Sequence, residues 1–229
     1  MSAPPPPAGW YADPQAPSRW RWWDGARWTD NVSAPAAVTG ALTTADYLVV
    51  RASARLARWS ATIHDRSMAQ IGTVTQSGLQ MRIVDAAGAV VLEADGGSTL
   101  SWGRPSALRS WFVRDAAGAQ LGDLSVVKYV NRRITLALHD PAGQDIGRLE
   151  AIGKVDRDFS IADVSGRAVA RVWRAERDRE LLSEDETWAA QLTRPIPPPL
   201  DSLALAAVCT LDSIQHTVQN TRTRHRSSF

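Results

Sequence analysis

The segment Leu200 to Gln219, LDSLALAAVCTLDSIQHTVQ, decides the fold. Leu203 to Cys209 contains no polar side chain, and Leu200, Leu211, Ile214 and Val218 carry the apolar character around every face of a helix. A helix of this kind is buried on all sides. Ala and Leu favour the helical state, and the run Pro197 to Pro199 marks its start, with proline acceptable at the first helical position because its missing amide has no partner there. Spanning a bilayer takes about 20 apolar residues, and a run about half as long reads as a core helix. Asp201 and Asp212 bracket the run, and each carboxylate at mid-membrane would cost on the order of 3 kcal/mol. The segment is therefore expected inside protein, with a membrane anchor as the competing reading.

What encloses the helix is written upstream as a repeat. Asp65-RSMAQ-Ile71-Gly72, Asp115-AAGAQ-Leu121-Gly122 and Asp140-PAGQD-Ile146-Gly147 share one spacing, and looser copies begin at Asp85 and Asp163. Asp followed three residues later by Gly is a turn signal, because the carboxylate accepts backbone amides and glycine tolerates positive φ. The segments Trp59 to Ile63, Met81 to Val84, Trp111 to Val113, Ile134 to Leu138 and Phe159 to Ile161 lead into these turns, and several alternate apolar with polar residues. Each unit thus reads as a β-hairpin with one buried face. Five or six hairpins make about a dozen strands, which a closed antiparallel barrel leaves without edges. Beyond about eight strands, wall side chains no longer fill the interior. The helix at about 200–217 is the element that fits there.

The N-terminal part has a different composition. Residues 1–7 are a Pro-rich lead that cannot pack into a core of its own and reads as extended or disordered. Residues 8–30 hold five of the ten tryptophans and read as a small β module, with a turn at Asp13-Pro14 and a two-residue hairpin loop at Asp24-Gly25. Trp10, Tyr11, Trp20, Trp22, Trp23 and Trp28 are its candidate functional residues. So small a unit has little other core, so these rings are expected to pack mainly on one another, with a stacking surface as the competing reading. Residues 31–45 read as a flexible linker, 46–219 as the barrel domain and 220–229 as a basic tail.

Two resemblances follow from these residues. The pattern PAGWYxDP followed by RxWDGxxWT, matched over residues 8–29, resembles a short Trp-rich bacterial domain of unknown function found attached to membrane-associated proteins. The Asp-turn hairpins, followed by WAAQLTRPIPPPLDSLALAAV from Trp188, resemble the phospholipid-scramblase-related and LURP-one-like proteins with the tubby C-terminal fold. That resemblance covers roughly residues 46–219 and implies a twelve-stranded barrel around a central hydrophobic helix. The acidic calcium-binding segment of the animal scramblases has no match, since Thr193 to Pro199 lacks a carboxylate. Their lipidated cysteine cluster is also missing, and Pro4 to Pro7 lacks the Tyr of a PPxY motif.

Chemistry is sparse along the chain. The four histidines are not at metal-binding or catalytic spacing, and His64 and His139 hold equivalent places ahead of turn aspartates. Glu184, Asp185 and Glu186 lie among arginines without a calcium-loop pattern. Cys209 sits in the apolar run and reads as core, and a lone cysteine excludes an intrachain disulfide. No nucleotide-binding or nucleophile motif is present. The expectation is a non-enzymatic protein without cofactor or metal.

Net charge is +2, so no field spans the molecule and nucleic acid is not an expected partner. Local clusters remain: Lys128, Arg132 and Arg133 on the barrel, and Arg222, Arg224 and Arg226 in the tail, as candidate sites for anionic phospholipid. The expected function is binding of lipid headgroups or of a membrane-associated protein at the cytoplasmic membrane surface. Lipid scrambling and protein recruitment without a lipid role are the alternatives. The N-terminus lacks the positive and apolar regions of a secretory signal, consistent with a cytoplasmic chain.

Overall fold

The computed structural model describes residues 9–33, 40–55, 58–97, 110–130, 133–153, 157–175 and 187–226. A small sheet of β1 (Gly9–Asp13), β2 (Ala16–Trp23) and β3 (Trp28–Ser33) comes first, followed by α1 (Ala41–Thr44). Twelve strands then follow: β4 (Tyr47–Arg55), β5 (Arg58–His64), β6 (Gln70–Ser77), β7 (Gln80–Asp85), β8 (Val90–Gly97) and β9 (Ser110–Asp115), then β10 (Gln120–Val130), β11 (Arg133–His139), β12 (Asp145–Ala151), β13 (Asp158–Asp163), β14 (Ala168–Arg174) and β15 (Thr187–Leu192). Each pairs antiparallel with its chain neighbours, and β15 pairs with β4 to close the barrel. Helix α2 (Leu200–Arg226) completes the chain.

All five turn aspartates, including those of the looser copies, make one and the same turn. Oδ1 of Asp65, Asp85, Asp115, Asp140 and Asp163 accepts the amides two and four residues on, at 2.9 to 3.1 Å. The residue three after the aspartate has positive φ, at Gly88, Gly118, Gly143 and Gly166. In the first copy that place belongs to Met68, at φ 66. There the Asp hydrogen bonds hold a conformation that an L side chain disfavours.

Since strands alternate in direction, the five turns all lie at one end of the barrel. The second glycine of the repeat is explained at the same end. A Cβ on Gly147 would stand 2.8 Å from Cδ1 of Leu200, and one on Gly122 would stand 3.0 Å from Cδ1 of Leu203. The wall lacks side chains where the helix enters. A Cβ on Gly72 would likewise meet Leu42 of α1 at 3.0 Å. Leu42 is buried, so part of the segment expected as a flexible linker is instead a helical turn plugged into the barrel.

From Leu203 to Leu211 every side chain of α2 is buried, together with Ser213 and Ile214. The Pro199 carbonyl accepts from the Leu203 amide at 3.0 Å, so Pro199 caps the helix and does not form its first turn. At the far end Asp212 accepts the indole N–H of Trp59 and Ser213 donates to Gln76. The six large aliphatics Leu200, Leu203, Leu205, Val208, Leu211 and Ile214 together stabilise this placement by on the order of 10 kcal/mol. The helix backbone runs past residue 217, the expected end, to Arg226.

Candidate functional site

Trp59, Trp188 and Gln76 are at strand ends opposite the Asp turns, so α2 crosses the barrel from the turn end to this second end. Beyond Ser213 the helix backbone continues for about 20 Å at 1.5 Å per residue. The positions of Arg222, Arg224 and Arg226 are thereby carried out on this side. No carboxylate follows Asp212 in the sequence.

The β10–β11 connection is at the same end. Lys128 and Arg133 are both exposed there, with Lys128 opposite Thr135 and Arg133 opposite Val130. Arg132 lies outside the described residues. The pairing register shifts between Val126 and Lys128, so the inward positions are Val126 and Tyr129, three apart instead of two. This bulge turns Lys128 outward beside Val127. Val127 and Val130 are 44% and 48% exposed, and Ile152, in the adjacent β12–β13 connection, is 43% exposed. Arg157 is exposed in that same connection. One barrel end therefore presents three exposed aliphatics among Lys128, Arg133 and Arg157, with the arginine-bearing helix rising from it. Sequence reading found the charges there but not Val127, Val130, Ile152 or Arg157. Strict alternation from Leu124 and Val126 would have assigned Lys128 to the interior.

The Trp-rich module is built by its own motif residues. Asp13 is buried and pairs with Arg21 at 3.2 Å, while Arg21 Nη1 donates to the Thr29 carbonyl. The Thr29 hydroxyl donates to the Trp22 carbonyl, and Asp24 Oδ1 accepts from Ala26 and Arg27. Those amides, Arg27 first, hold the Asp24 carboxyl below the usual aspartate range. The loop is four residues, 24–27, and not the expected two, because Asp24 caps it with two amides. Tyr11 and Trp23 both pack edge-on to Trp28, at 6.2 and 5.4 Å. Trp22, next in sequence to Trp23 and so on the opposite face, packs against the barrel core. Trp10 and Trp20 stand in β1 and β2 opposite Trp22 and Ala12 respectively.

The remaining polar groups form local pairs. His139 lies between Asp123 and Asp145, at 3.0 and 2.9 Å, and Asp123 also accepts from Ser125. His64 contacts Thr62 and the Met68 carbonyl. These two histidines do not converge on a common centre. A groove of about 360 Å³ at the turn end is lined by Thr44, Asp46, Tyr47, Asp65 and Arg66. Arg66 spans it, bonded to Gln191 and Asp46 and stacked over Tyr47. Burial pushes the Cys209 thiol up to about 12, which leaves it unreactive as a nucleophile. Among the described residues no cluster of His, Cys, Asp and Glu could hold a metal ion, and no helix is long and apolar enough to cross a membrane. The acidic stretch 176–186 lies outside the described residues.

Comparison with known proteins gives three findings. A family described as a protein of unknown function (DUF2510) matches residues 8–41. No curated protein matches the chain. Among solved structures, the X-ray structure of a protein from Arabidopsis thaliana is similar, with a TM-score of 0.49 and 14% identity, covering 78% of this chain and 98% of that one.

Proposed function

We propose that this protein is a non-enzymatic barrel that binds anionic phospholipid surfaces through the end from which α2 emerges. The observation that carries this reading is the grouping of Lys128, Arg133 and Arg157 with exposed Val127, Val130 and Ile152 at the exit of a helix bearing three further arginines. Basic residues near an anionic membrane contribute about 1 kcal/mol each, and shallow aliphatics add apolar burial in the interface. The resemblance to scramblase-related and LURP-one-like barrels in the hairpin repeat and the terminal helix supports a membrane-surface role. The proposed location is the cytoplasmic face of a membrane, as a peripheral protein. Scrambling is the less favoured reading, since withdrawing α2 would expose the apolar barrel lining to water.

Co-sedimentation with phosphatidylglycerol-containing vesicles tests this. Binding should be strong at low salt, weak at high salt and absent with pure phosphatidylcholine. Lys128→Ala combined with Arg133→Ala should weaken it by roughly 2 kcal/mol, about 30-fold. Equal binding to neutral vesicles, or no effect of the double substitution, would overturn the proposal.

A further inference from the structure

The face of the small sheet that turns away from the barrel carries an aromatic surface that the membrane reading does not use. Gly9 pairs with Trp23, and Trp23 pairs with Trp28, so the three lie on one rung across β1, β2 and β3. Residues on one rung share a face, and Tyr11, two residues after Gly9, is on it as well. The ring contacts agree, with Tyr11 and Trp28 nearly perpendicular at 89°. Trp28 remains 39% exposed, and Val32 on the same edge strand is 36% exposed. Gly9 contributes no side chain to the rung.

Perpendicular aromatic rings on a small twisted sheet suit proline. A polyproline II segment is already extended, so docking it loses little conformational entropy, and its rings lie against aromatic faces. The sequence supplies a run of four prolines just ahead of this rung. Pro4 to Pro7 ends two residues before Gly9. Neighbouring strands lie about 4.8 Å apart, so crossing from β1 to β3 covers about 10 Å. Polyproline II advances about 3.1 Å per residue, so a run of three or four prolines is long enough to span the distance from Gly9 to Trp28.

We propose that the Tyr11, Trp23 and Trp28 face is a proline-recognition surface whose occupant is the chain's own Pro4–Pro7 run. Tethering gives that run a high effective concentration, so a free proline-rich peptide competes poorly until the run is removed.

The test is fluorine NMR of the full chain labelled with 5-fluorotryptophan, with Trp23→Phe and Trp28→Phe spectra used for assignment. Replacing Pro4, Pro5, Pro6 and Pro7 by serine should shift the Trp23 and Trp28 signals and leave Trp111 and Trp188, inside the barrel, unmoved. A synthetic Ala-Pro-Pro-Pro-Pro-Ala peptide should then perturb the same two signals in the serine variant. The unsubstituted chain should need at least about 10-fold more peptide for the same change. Unchanged Trp23 and Trp28 signals in the serine variant would overturn the proposal, as would a peptide without effect on that variant. Signals that depend on protein concentration in the unsubstituted chain would overturn it too, by assigning the run to a second copy.

Discussion

Trp59 of β5 donates its indole N–H to Oδ2 of Asp212 in α2 at 2.9 Å, tying barrel wall to central helix across 153 residues of sequence. Trp188 Nε1 faces the other oxygen of the same carboxylate at 3.5 Å. Asp212 is thus the fastening at the exit end. Asp212→Ala leaves both indoles without this acceptor, and we expect a loss of about 1–3 kcal/mol in denaturant unfolding. A variant as stable as the parent would show that the carboxylate is solvated and fastens nothing.

Gly122 and Gly143 are both glycines with positive φ near Asp turns, yet they answer to different constraints. A Cβ on Gly122 would stand 2.0 Å from the His139 carbonyl oxygen, whereas one on Gly143 meets nothing within 4 Å. Gly143→Ala should cost about 1 kcal/mol for its backbone conformation alone. Gly122→Ala should cost more than about 3 kcal/mol or prevent folding, because strand and helix would both have to move. Equal costs, read from urea midpoints, would remove the argument that this glycine admits the helix.

Met68 occupies the place that glycine holds in the other four turns. An L residue there costs about 1–2 kcal/mol, and glycine returns part of this through a more flexible unfolded chain, about 0.4–1 kcal/mol. Met68→Gly should therefore stabilise the protein by about 0.5 kcal/mol, a rise in melting temperature readable by circular dichroism. A fall would mean that the Met68 side chain holds the turn by contacts.

Asp201 is in the first turn of α2, where burial raises its carboxyl above the ordinary aspartate value of 3.8, against the opposing bonds from Ser202 and the charge of Arg194. A raised folded value means the fold favours the protonated form. Its contribution to stability is complete below the unfolded value and is lost as pH rises through the folded one. Asp201→Asn should therefore match the parent near pH 3 and exceed it at neutral pH. Stability profiles that stay parallel from acid to neutral pH would contradict this.

The barrel was legible because its two signals are local and repeated. Asp-turn chemistry recurs five times, and one all-apolar helix has nowhere else to go. Pairing order and the β4–β15 closure follow from these with little further choice. Less legible were features set by tertiary contact. Leu42 sits in a segment composed like a linker and is buried only because Gly72 leaves space for it. Met68 breaks the turn rule because hydrogen bonds to Asp65 suffice to hold the backbone. At the candidate site, Lys128 and Arg133 were readable as charges, but the bulge that brings Lys128 out beside Val127 leaves no mark in composition or period. That the tail arginines share an end with them depends on the direction of α2, which only the contacts of Leu200, Leu203 and Asp212 reveal.

Helix α2 is the core of the barrel, and the proposed membrane binding leaves it there. Cys209, the chain's sole cysteine and 1% exposed at mid-helix, reports on this directly. The measurement is its labelling by a water-soluble maleimide, in the native protein alone, with phosphatidylglycerol vesicles, and in denaturant. Enclosure requires labelling at least about 100-fold slower in both native conditions than in denaturant, since the thiol is both inaccessible and protonated. Labelling at the denatured rate in native protein, or its onset on adding vesicles, would contradict this placement, because the helix would then leave the barrel.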